Sequence, residues 1–204
     1  MKNISLNLYS VLSVFFIILF ILLAVSPFNL VDMEQAQRIA KWKSEYDELK
    51  YDFSLTDIYE GVITESIIGD EEGSNAIMIE KIKPYFRLED EKYQEYKKYS
   101  YRQKNGRTMP KTSQFYFNKF VKCKDGTFIS FKKNINYEDG HPLYYMFVDI
   151  NGEQKPNRVG EDIFFISVYP HEIHALGYDK EYSKLKKNCS PIGNGLYCAE
   201  FYLL

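Results

Sequence analysis

The 204-residue chain has few of the residue types that carry most metal and catalytic chemistry, since it contains only three histidines and three cysteines. Their spacing does not resemble that of a four-ligand zinc site. The sequence also has no glycine-rich phosphate-binding loop and no visible nucleophile paired with a base. These absences favour a protein that is not an enzyme and needs no cofactor.

A strong excess of charge of one sign is also missing, because the formal net charge is only −2. Whole-chain electrostatics therefore indicates no nucleic-acid partner. The local distribution is uneven: residues 32–80 contain 13 acidic and 4 basic residues, whereas residues 81–124 contain 13 basic and 4 acidic residues. We expect these two blocks to attract one another, within one molecule or between neighbouring copies.

One long apolar run stands near the N-terminus, from Leu8 to Val25, and continues to Leu30 with few polar interruptions. A helix needs about 20 apolar residues to cross the hydrocarbon core of a bilayer. The run predicts a transmembrane helix over residues 1–30, a single-pass protein of the cytoplasmic membrane in contact with membrane lipid, and an extracytoplasmic C-terminal domain. A cleavable signal peptide is the alternative, because Lys2 supplies a positive charge before the run.

The next segment predicts an amphipathic helical continuation over residues 31–68. Its apolar side chains follow a 3-4-3-4 spacing that places them on one stripe of a helix: Ile39, Trp42, Tyr46, Leu49 and Phe53. With the transmembrane half it would form one long helix. The alternative is a separate amphipathic helix that lies on the membrane or packs in a globular core. Residues 69–111 are expected to be a charged, Tyr-rich connecting region.

Residues 112–204 predict an antiparallel β-sheet domain with a cysteine-bounded C-terminal loop. The chain contains 18 Tyr and 15 Phe, many in alternating runs, which favours half-buried strands. "SQFYFNKFVKC" and "TFISFKK" flank the turn-forming pair Asp125-Gly126, and "PLYYMFVDI" and "DIFFISVY" form a second pair of strands. The predicted fold class is α+β, with the long N-terminal helix packed on an antiparallel β-meander.

Two of the three cysteines, Cys189 and Cys198, enclose the short loop "SPIGNGLY". This spacing predicts a small disulfide ring in an oxidising compartment. In the chain-entropy account such a ring contributes about 2 to 3 kcal/mol to stability. The alternative is two reduced core cysteines, and Cys123 has no evident partner.

The stretch "VDINGEQKPNRVGEDIFFISV" is similar to a segment between two late strands of bacterial prepilin-type proteins. The residues that carry the resemblance are Asp149, Asn151, Gly152, Pro156, Asn157, Gly160 and Asp162. The resemblance to type IV pilins and pseudopilins implies a structural or minor subunit of a type IV pilus or type II secretion pseudopilus, with other pilin-like subunits as partners. The N-terminus "MKNISLNLYSVL" departs from the family, because it lacks the glycine and the glutamate of the prepilin processing site. The alternative function is an independent, membrane-anchored extracytoplasmic binding domain.

The same loop also suggests a metal site. Asp149, Asn151 and Asp162 offer oxygen ligands of the kind that Ca²⁺ prefers, and the resemblance adds that some pseudopilins hold calcium in a late β-loop. The alternative is a structural loop in which both aspartates accept backbone N–H bonds.

The stretch "YPHEIHALG" brings His171, Glu172 and His174 close together in sequence. A metal-dependent hydrolase is the weakest of the functional hypotheses, because zinc hydrolases of the relevant type need His-Glu-x-x-His on a helix. Here the spacing is one residue shorter and follows a proline.

Overall fold

The computed structural model describes residues 2–24, 27–60, 82–89, 99–134 and 140–204. Two helices come first, α1 (Lys2–Ala24) and α2 (Pro27–Glu60). Five strands follow, β1 (Val121–Lys122), β2 (Phe128–Lys133), β3 (Tyr144–Asp149), β4 (Ile163–Val168) and β5 (Ile173–Ala175), and then two short helices, α3 (Tyr182–Asn188) and α4 (Cys198–Phe201). The chain divides into two compact units, Met1–Gln37 and Arg38–Leu204.

The five strands form one antiparallel sheet in which spatial order equals sequence order, β1-β2-β3-β4-β5. Phe128 lies opposite Asp149, and Asp149 lies opposite Ile163, so the β1–β2 turn and the β3–β4 loop are at the same end of the sheet. Asp125 and Gly126 lie in the β1–β2 turn, where the Asp-Gly signal places them. The fifth strand, β5, includes His174.

In the second unit, one face of the sheet is covered by side chains of α2. The Trp42 indole stacks on Phe164 with ring centroids 4.3 Å apart, and its Nε1–H donates to the carbonyl oxygen of Ala199 at 2.9 Å. Leu49 and Phe53 are buried in the same core cluster. Aromatic stacking and the burial of large apolar side chains are the terms that stabilise this layer.

The opposite face of the sheet carries a second, mainly aromatic core. Tyr101, Phe117 and Phe120, from the segment before β1, pack with Phe147 and Phe165 from the sheet. Because both faces are covered, every residue of β4 is buried. The expectation of half-buried strands therefore fails for β4, since the alternating pattern could not reveal the second covering layer.

The predicted fold class, with one long N-terminal helix packed on a β-meander, is wrong. The structure has two helices in place of one, with α1 ending at Ala24 and α2 beginning at Pro27. Proline is favoured at the first position of a helix, because its fixed φ suits that position and no N–H is needed there. The described residues therefore show two separate helices and an antiparallel sheet, and no long apolar helix.

The membrane predictions are also wrong. In the described part of the chain, no helix combines the length and the apolar character that crossing a bilayer requires. This finding overturns the transmembrane helix over residues 1–30 and the single-pass location in the cytoplasmic membrane with an extracytoplasmic domain.

Parts of three other predictions lie outside the described residues. They are residues 61–68 of the helical continuation, residues 69–81 and 90–98 of the charged connecting region, and residues 135–139 of the β-sheet domain.

Candidate functional site in the loop between β3 and β4

The loop that joins β3 to β4 begins directly after Asp149 and contains a cis peptide bond between Lys155 and Pro156. The Lys41 side chain of α2 donates from Nζ to the carbonyl oxygen of Ile150. The loop is therefore held against the helix at its first residue.

Asp149 organises the first half of this loop. Its Oδ1 accepts the backbone N–H of Asn151 at 3.0 Å and that of Gly152 at 2.9 Å. Its Oδ2 accepts the hydroxyl hydrogen of Tyr99. Aspartate commonly stabilises turns by accepting backbone N–H groups two and three residues ahead. Both oxygens of this buried carboxyl group are therefore engaged.

Asp162 organises the second half in the same way. Its Oδ2 accepts the N–H of Asn157 at 2.7 Å, and its Oδ1 accepts the N–H of Arg158 at 2.6 Å. Asn157 has a φ of 48°, a left-handed conformation that asparagine tolerates better than most residues. Two backbone donors that face the interior are thus satisfied by one side chain.

Both aspartates are fully buried, and this determines their protonation. Burial, and then the nearby charge of Asp162, raise the pKa of Asp149 to about 8, although the hydrogen bonds from Tyr99 and the two amides act in the opposite direction. Burial also raises the pKa of Asp162, to about 6. At neutral pH we therefore expect the pair to hold a proton, because two negative charges so close together and away from water are costly.

The structure brings two of the predicted calcium ligands, Asp149 and Asp162, close enough to interact electrostatically. Two amide oxygens of the loop, Oδ1 of Asn151 and Oδ1 of Asn157, are buried and have no hydrogen-bond partner among the described residues. Buried polar atoms normally have a partner, so these oxygens are the feature that favours a cation. Against it, the described residues contain no cluster of three or more His, Cys, Asp or Glu that could hold a metal ion. The set Asp149, Asn151 and Asp162 stays a prediction.

Sequence reasoning missed Tyr99 as a member of this site. Tyr99 lies fifty residues before Asp149 and packs against Phe120 and Phe128, with ring centroids 4.9 and 5.6 Å away. No local spacing signals such a contact, because it depends on the segment that covers the second face of the sheet.

The two histidines of "YPHEIHALG" contact different residues. His171 Nδ1 lies 3.3 Å from Asp57 Oδ1, on α2. The His174 ring stacks on Tyr178 with centroids 3.9 Å apart, and its Nε2 lies 3.2 Å from Glu172 Oε1. His171 and His174 therefore belong to two separate groups of contacts and do not face a common point.

Cys189 and Cys198 are joined by a disulfide with an S–S distance of 2.05 Å, as their spacing predicts. Cys123 is a free, buried cysteine. Burial raises the pKa of its thiol well above the usual range. A buried, protonated thiol is a poor nucleophile, so Cys123 is not a candidate catalytic residue.

Comparison with known proteins found no matching family model, no matching curated protein and no matching solved structure. Function is therefore inferred from the residues and contacts of this chain alone.

Proposed function

We propose that this protein is a non-enzymatic, pilin-like structural subunit of a type IV pilus or type II secretion pseudopilus. It acts by packing α1 against the helices of neighbouring pilin-like subunits. The observation that carries the proposal is the exposed apolar surface of α1, and the similarity of the β3–β4 loop to prepilin-type segments supports the choice of assembly.

The described side chains of α1 are exposed on every side of the helix. The stretch from Tyr9 to Phe20 covers about three helical turns, so its side chains point in all directions around the helix axis. Its large apolar residues are between 40% and 75% exposed: Tyr9, Val11, Leu12, Val14, Phe15, Phe16, Ile17, Ile18, Leu19 and Phe20. Ser13 donates its hydroxyl hydrogen to the carbonyl oxygen of Ser10 at 2.9 Å, so one of the few polar groups is satisfied inside the helix.

An exposed apolar surface of this extent is costly in water, since burying it gains roughly 25 cal/mol per Å². Continuous exposed apolar patches of this kind mark interaction sites. A helix that is apolar all round fits between several other helices better than against a single groove. This favours association with several equivalent subunits.

The β3–β4 loop supports a structural role for the second unit. Its buried aspartates accept backbone N–H groups. The C-terminal ring is closed by the Cys189–Cys198 disulfide. Side chains that fix a backbone in this way stabilise a scaffold that presents its surface to neighbours.

A site-specific crosslinking experiment tests the proposal. A photoreactive amino acid replaces Phe16 in the full-length chain in its native cells, and Tyr182, an exposed aromatic residue of the second unit, is replaced in the control. We expect the probe at position 16 to form adducts with further copies of the chain or with other pilin-like chains, and the probe at position 182 to form far fewer. Only monomeric protein at both positions would contradict the proposal.

A second experiment uses a charged substitution. With the photoreactive probe kept at position 16, Phe20→Glu places a carboxylate in the same exposed apolar surface. It is expected to reduce the crosslinked species at least about tenfold, because burying an unpaired charge is strongly unfavourable. Phe20→Leu keeps the surface apolar and is the matched control. Equal adduct yields from the two variants would mean that α1 is not the assembly surface.

A second candidate function is an independent binding domain whose β3–β4 loop is ordered by calcium. The unpartnered oxygens of Asn151 and Asn157 are the observation that favours it. Calcium at 100 times its dissociation constant would stabilise the folded state by about 2.7 kcal/mol. The expected result is a rise in melting temperature with Ca²⁺ that is reversed by chelation and lost in Asp162→Asn. An unchanged melting temperature would exclude this candidate.

A further inference from the structure

The two faces of the sheet in the second unit are covered by segments of opposite charge. Residues 99–120, whose aromatic side chains cover one face, contain five basic residues and no acidic one. Residues 45–57 of α2, which covers the other face, contain five acidic residues and one basic residue. One molecule therefore carries a basic and an acidic covering segment on the same sheet.

The basic segment contains a short hairpin. Arg102 lies opposite Thr108 in an antiparallel bridge, and Gln103 donates its N–H to the carbonyl oxygen of Arg107 at 2.9 Å. Arg102 also lies beside Arg158 of the β3–β4 loop in a parallel bridge. The backbone thus holds three arginines close together.

These cations are only partly neutralised. Arg158 Nη1 lies 3.2 Å from Glu161 Oε1, which supplies one negative charge. Arg102, Arg107 and Lys111 are exposed, and within the described part of the chain none of them forms an ion pair. Like charges on directly opposed residues of neighbouring strands repel each other, so the pair of Arg102 and Arg158 is unfavourable unless an anion lies nearby. We call Arg102, Arg107, Lys111 and Arg158 the basic surface.

The acidic segment brings together carboxylates that repel one another. Four acids line a small cavity between α2 and the β1–β2 turn: Glu45, Glu48, Asp52 and Asp125. Burial, and then the charges of Asp125 and Glu48, raise the pKa of Glu45 to about 7. Asp47 on α2 and Asp125 in the turn are exposed, so a partner can reach them. We call Glu45, Asp47 and Asp125 the acidic surface.

The cations that act on these acids come from α2 and from the segment 82–89. The largest favourable charge on Glu45 is that of Lys41. Among the described residues, Arg87 is the one cation that acts on Asp52. Arg87 Nη2 also lies 2.5 Å from Glu48 Oε1. The basic surface takes no part in these interactions, which favours attraction between copies over attraction within one molecule.

A second copy of the chain fits the basic surface better than a nucleic acid does. The net charge is −2, so the field of the whole chain does not attract a polyanion. The acidic surface offers carboxylates, and the planar guanidinium group of arginine pairs well with a carboxylate through two parallel hydrogen bonds. Every copy supplies both the donors and the acceptors.

We propose that the basic surface of one molecule docks on the acidic surface of a second copy. A contact between two different surfaces of identical chains is heterologous, so it repeats from molecule to molecule and builds an open stack. Exposed ion pairs contribute little individually. The contact therefore acts between copies that α1 already holds at high local concentration, and it rests on the assembly role proposed above.

Zero-length crosslinking of the full-length, disulfide-intact protein tests the contact. A carbodiimide joins a lysine amine to a carboxylate that it touches, and a mixture of unlabelled and ¹⁵N-labelled protein identifies crosslinks between molecules. We expect mixed-label crosslinks from Lys111 to Asp47 or Asp125. Their yield should fall at least about fivefold between about 0.1 M and about 1 M salt, because the Debye length shortens from about 10 Å to about 3 Å.

A charge swap protects the test against a poorly folded variant. Arg102→Glu with Arg107→Glu reverses the basic surface, and Glu45→Lys with Asp47→Lys reverses the acidic surface. Each double variant alone should lose the mixed-label crosslinks at least about fivefold, because like charges now meet. A mixture of the two should regain them, since opposite charges face each other again. Lys184→Glu, an exposed position of α3, is the matched control and should leave the yield unchanged.

Photocrosslinking from position 16, measured in parallel, separates this proposal from the assembly role of α1. Adducts from position 16 without mixed-label crosslinks from Lys111 would overturn the docking proposal alone. Absence of both would overturn both proposals.

Two further outcomes would also overturn the docking proposal. One is a charge-swap mixture that fails to regain the crosslinks. The other is binding of a single-stranded oligonucleotide that is lost at high salt and in the double variant of Arg102 and Arg107, without any mixed-label crosslink, because this would assign the basic surface to a nucleic acid.

Discussion

Two groups of acids with raised pKa values lie near the same end of the sheet, and they differ in the hydrogen bonds that they accept from the protein. In the β3–β4 loop, Asp149 and Asp162 accept hydrogen bonds at both of their oxygens. In the cavity beside α2, Asp52 and Glu45 accept none from described residues. The pKa values of all four acids are raised by burial.

The difference shows that a raised pKa does not by itself distinguish a structural acid from a binding acid. What distinguishes them is whether the protein provides hydrogen-bond donors to the carboxylate oxygens. Acids that satisfy the backbone donors of a loop hold that loop in place, and removing them leaves N–H groups unpaired. Acids that accept no hydrogen bond from the protein keep only the hydration that their partial burial leaves them, so their charged form costs stability.

The largest effect is expected from glycine substitutions that contrast the two regions. Gly160, in the β3–β4 loop, has a φ of 76°, and an added Cβ would lie 2.4 Å from Cys198 Sγ. Gly160→Ala should therefore destabilise the protein by about 3 kcal/mol or more, from backbone strain together with overpacking. Gly126, in the β1–β2 turn, has a φ of 92° but nothing within 4 Å of an added Cβ. Gly126→Ala should cost only about 1 kcal/mol.

Urea unfolding followed by the fluorescence of the single tryptophan measures both losses. Equal losses would show that the two connections are packed alike, which would remove the contrast between them.

The next effect concerns the donors of the loop. Asp149→Ala leaves the N–H groups of Asn151 and Gly152 and the Tyr99 hydroxyl without their acceptor, so we expect a loss of about 3 kcal/mol. Asp149→Asn keeps one acceptor oxygen and should cost less than about 1 kcal/mol, because burial already favours the neutral form of the acid. Urea unfolding at pH 7 compares the variants. A loss as large for asparagine as for alanine would mean that the negative charge is essential.

A smaller effect is expected from pH. A carboxyl group whose pKa is higher in the folded state binds more protons when folded, so stability falls as the pH rises between its unfolded and folded values. For Asp149 this window extends from about 4 to about 8, and for Asp52 from about 4 to about 6. The urea midpoint should therefore be lower at pH 8 than at pH 5. Asp149→Asn should flatten the dependence more than Asp52→Asn, and a midpoint that rises with pH would contradict the burial of these acids as charged groups.

The smallest effect should have the opposite sign. Asp52→Asn removes a carboxylate whose charged form is disfavoured by its partial burial, and should raise stability at pH 8 by up to about 1 kcal/mol. Asp47→Asn, on the exposed side of α2, should change stability by less than about 0.5 kcal/mol. Calorimetric melting measures both. A destabilising Asp52→Asn would place Asp52 among the structural acids.

Local signals in the sequence located several features of the second unit. The pair Asp125-Gly126 correctly predicted a turn between two strands, because Asp-Gly is one of the few residue pairs that favour tight hairpin turns. The short loop between Cys189 and Cys198, which contains proline and glycine, correctly predicted the disulfide. The spacing from Trp42 to Phe53 marked the side of α2 that is buried.

Features that depend on distant contacts were not accessible in this way. The contact of Tyr99 with Asp149 and the covering of the second sheet face by Tyr101 and Phe117 involve segments far apart in sequence. Glu45, Glu48 and Asp52 looked like an ordinary solvated helix face. Their spacing of three and four residues, next to the apolar stripe, was the available signal, but only the approach of the β1–β2 turn makes a cavity from it.

The outer strands of the sheet have a consequence for how copies of this protein meet. Within the described residues, β1 has two residues and β5 has three, whereas the three inner strands have six each. Such short margins offer too few free N–H and C=O groups to recruit a strand from another molecule, and natural proteins use this device against uncontrolled fibre growth. Edge-to-edge pairing of sheets from two molecules is therefore disfavoured, and an ordered polymer is expected to grow through surfaces other than the edge strands.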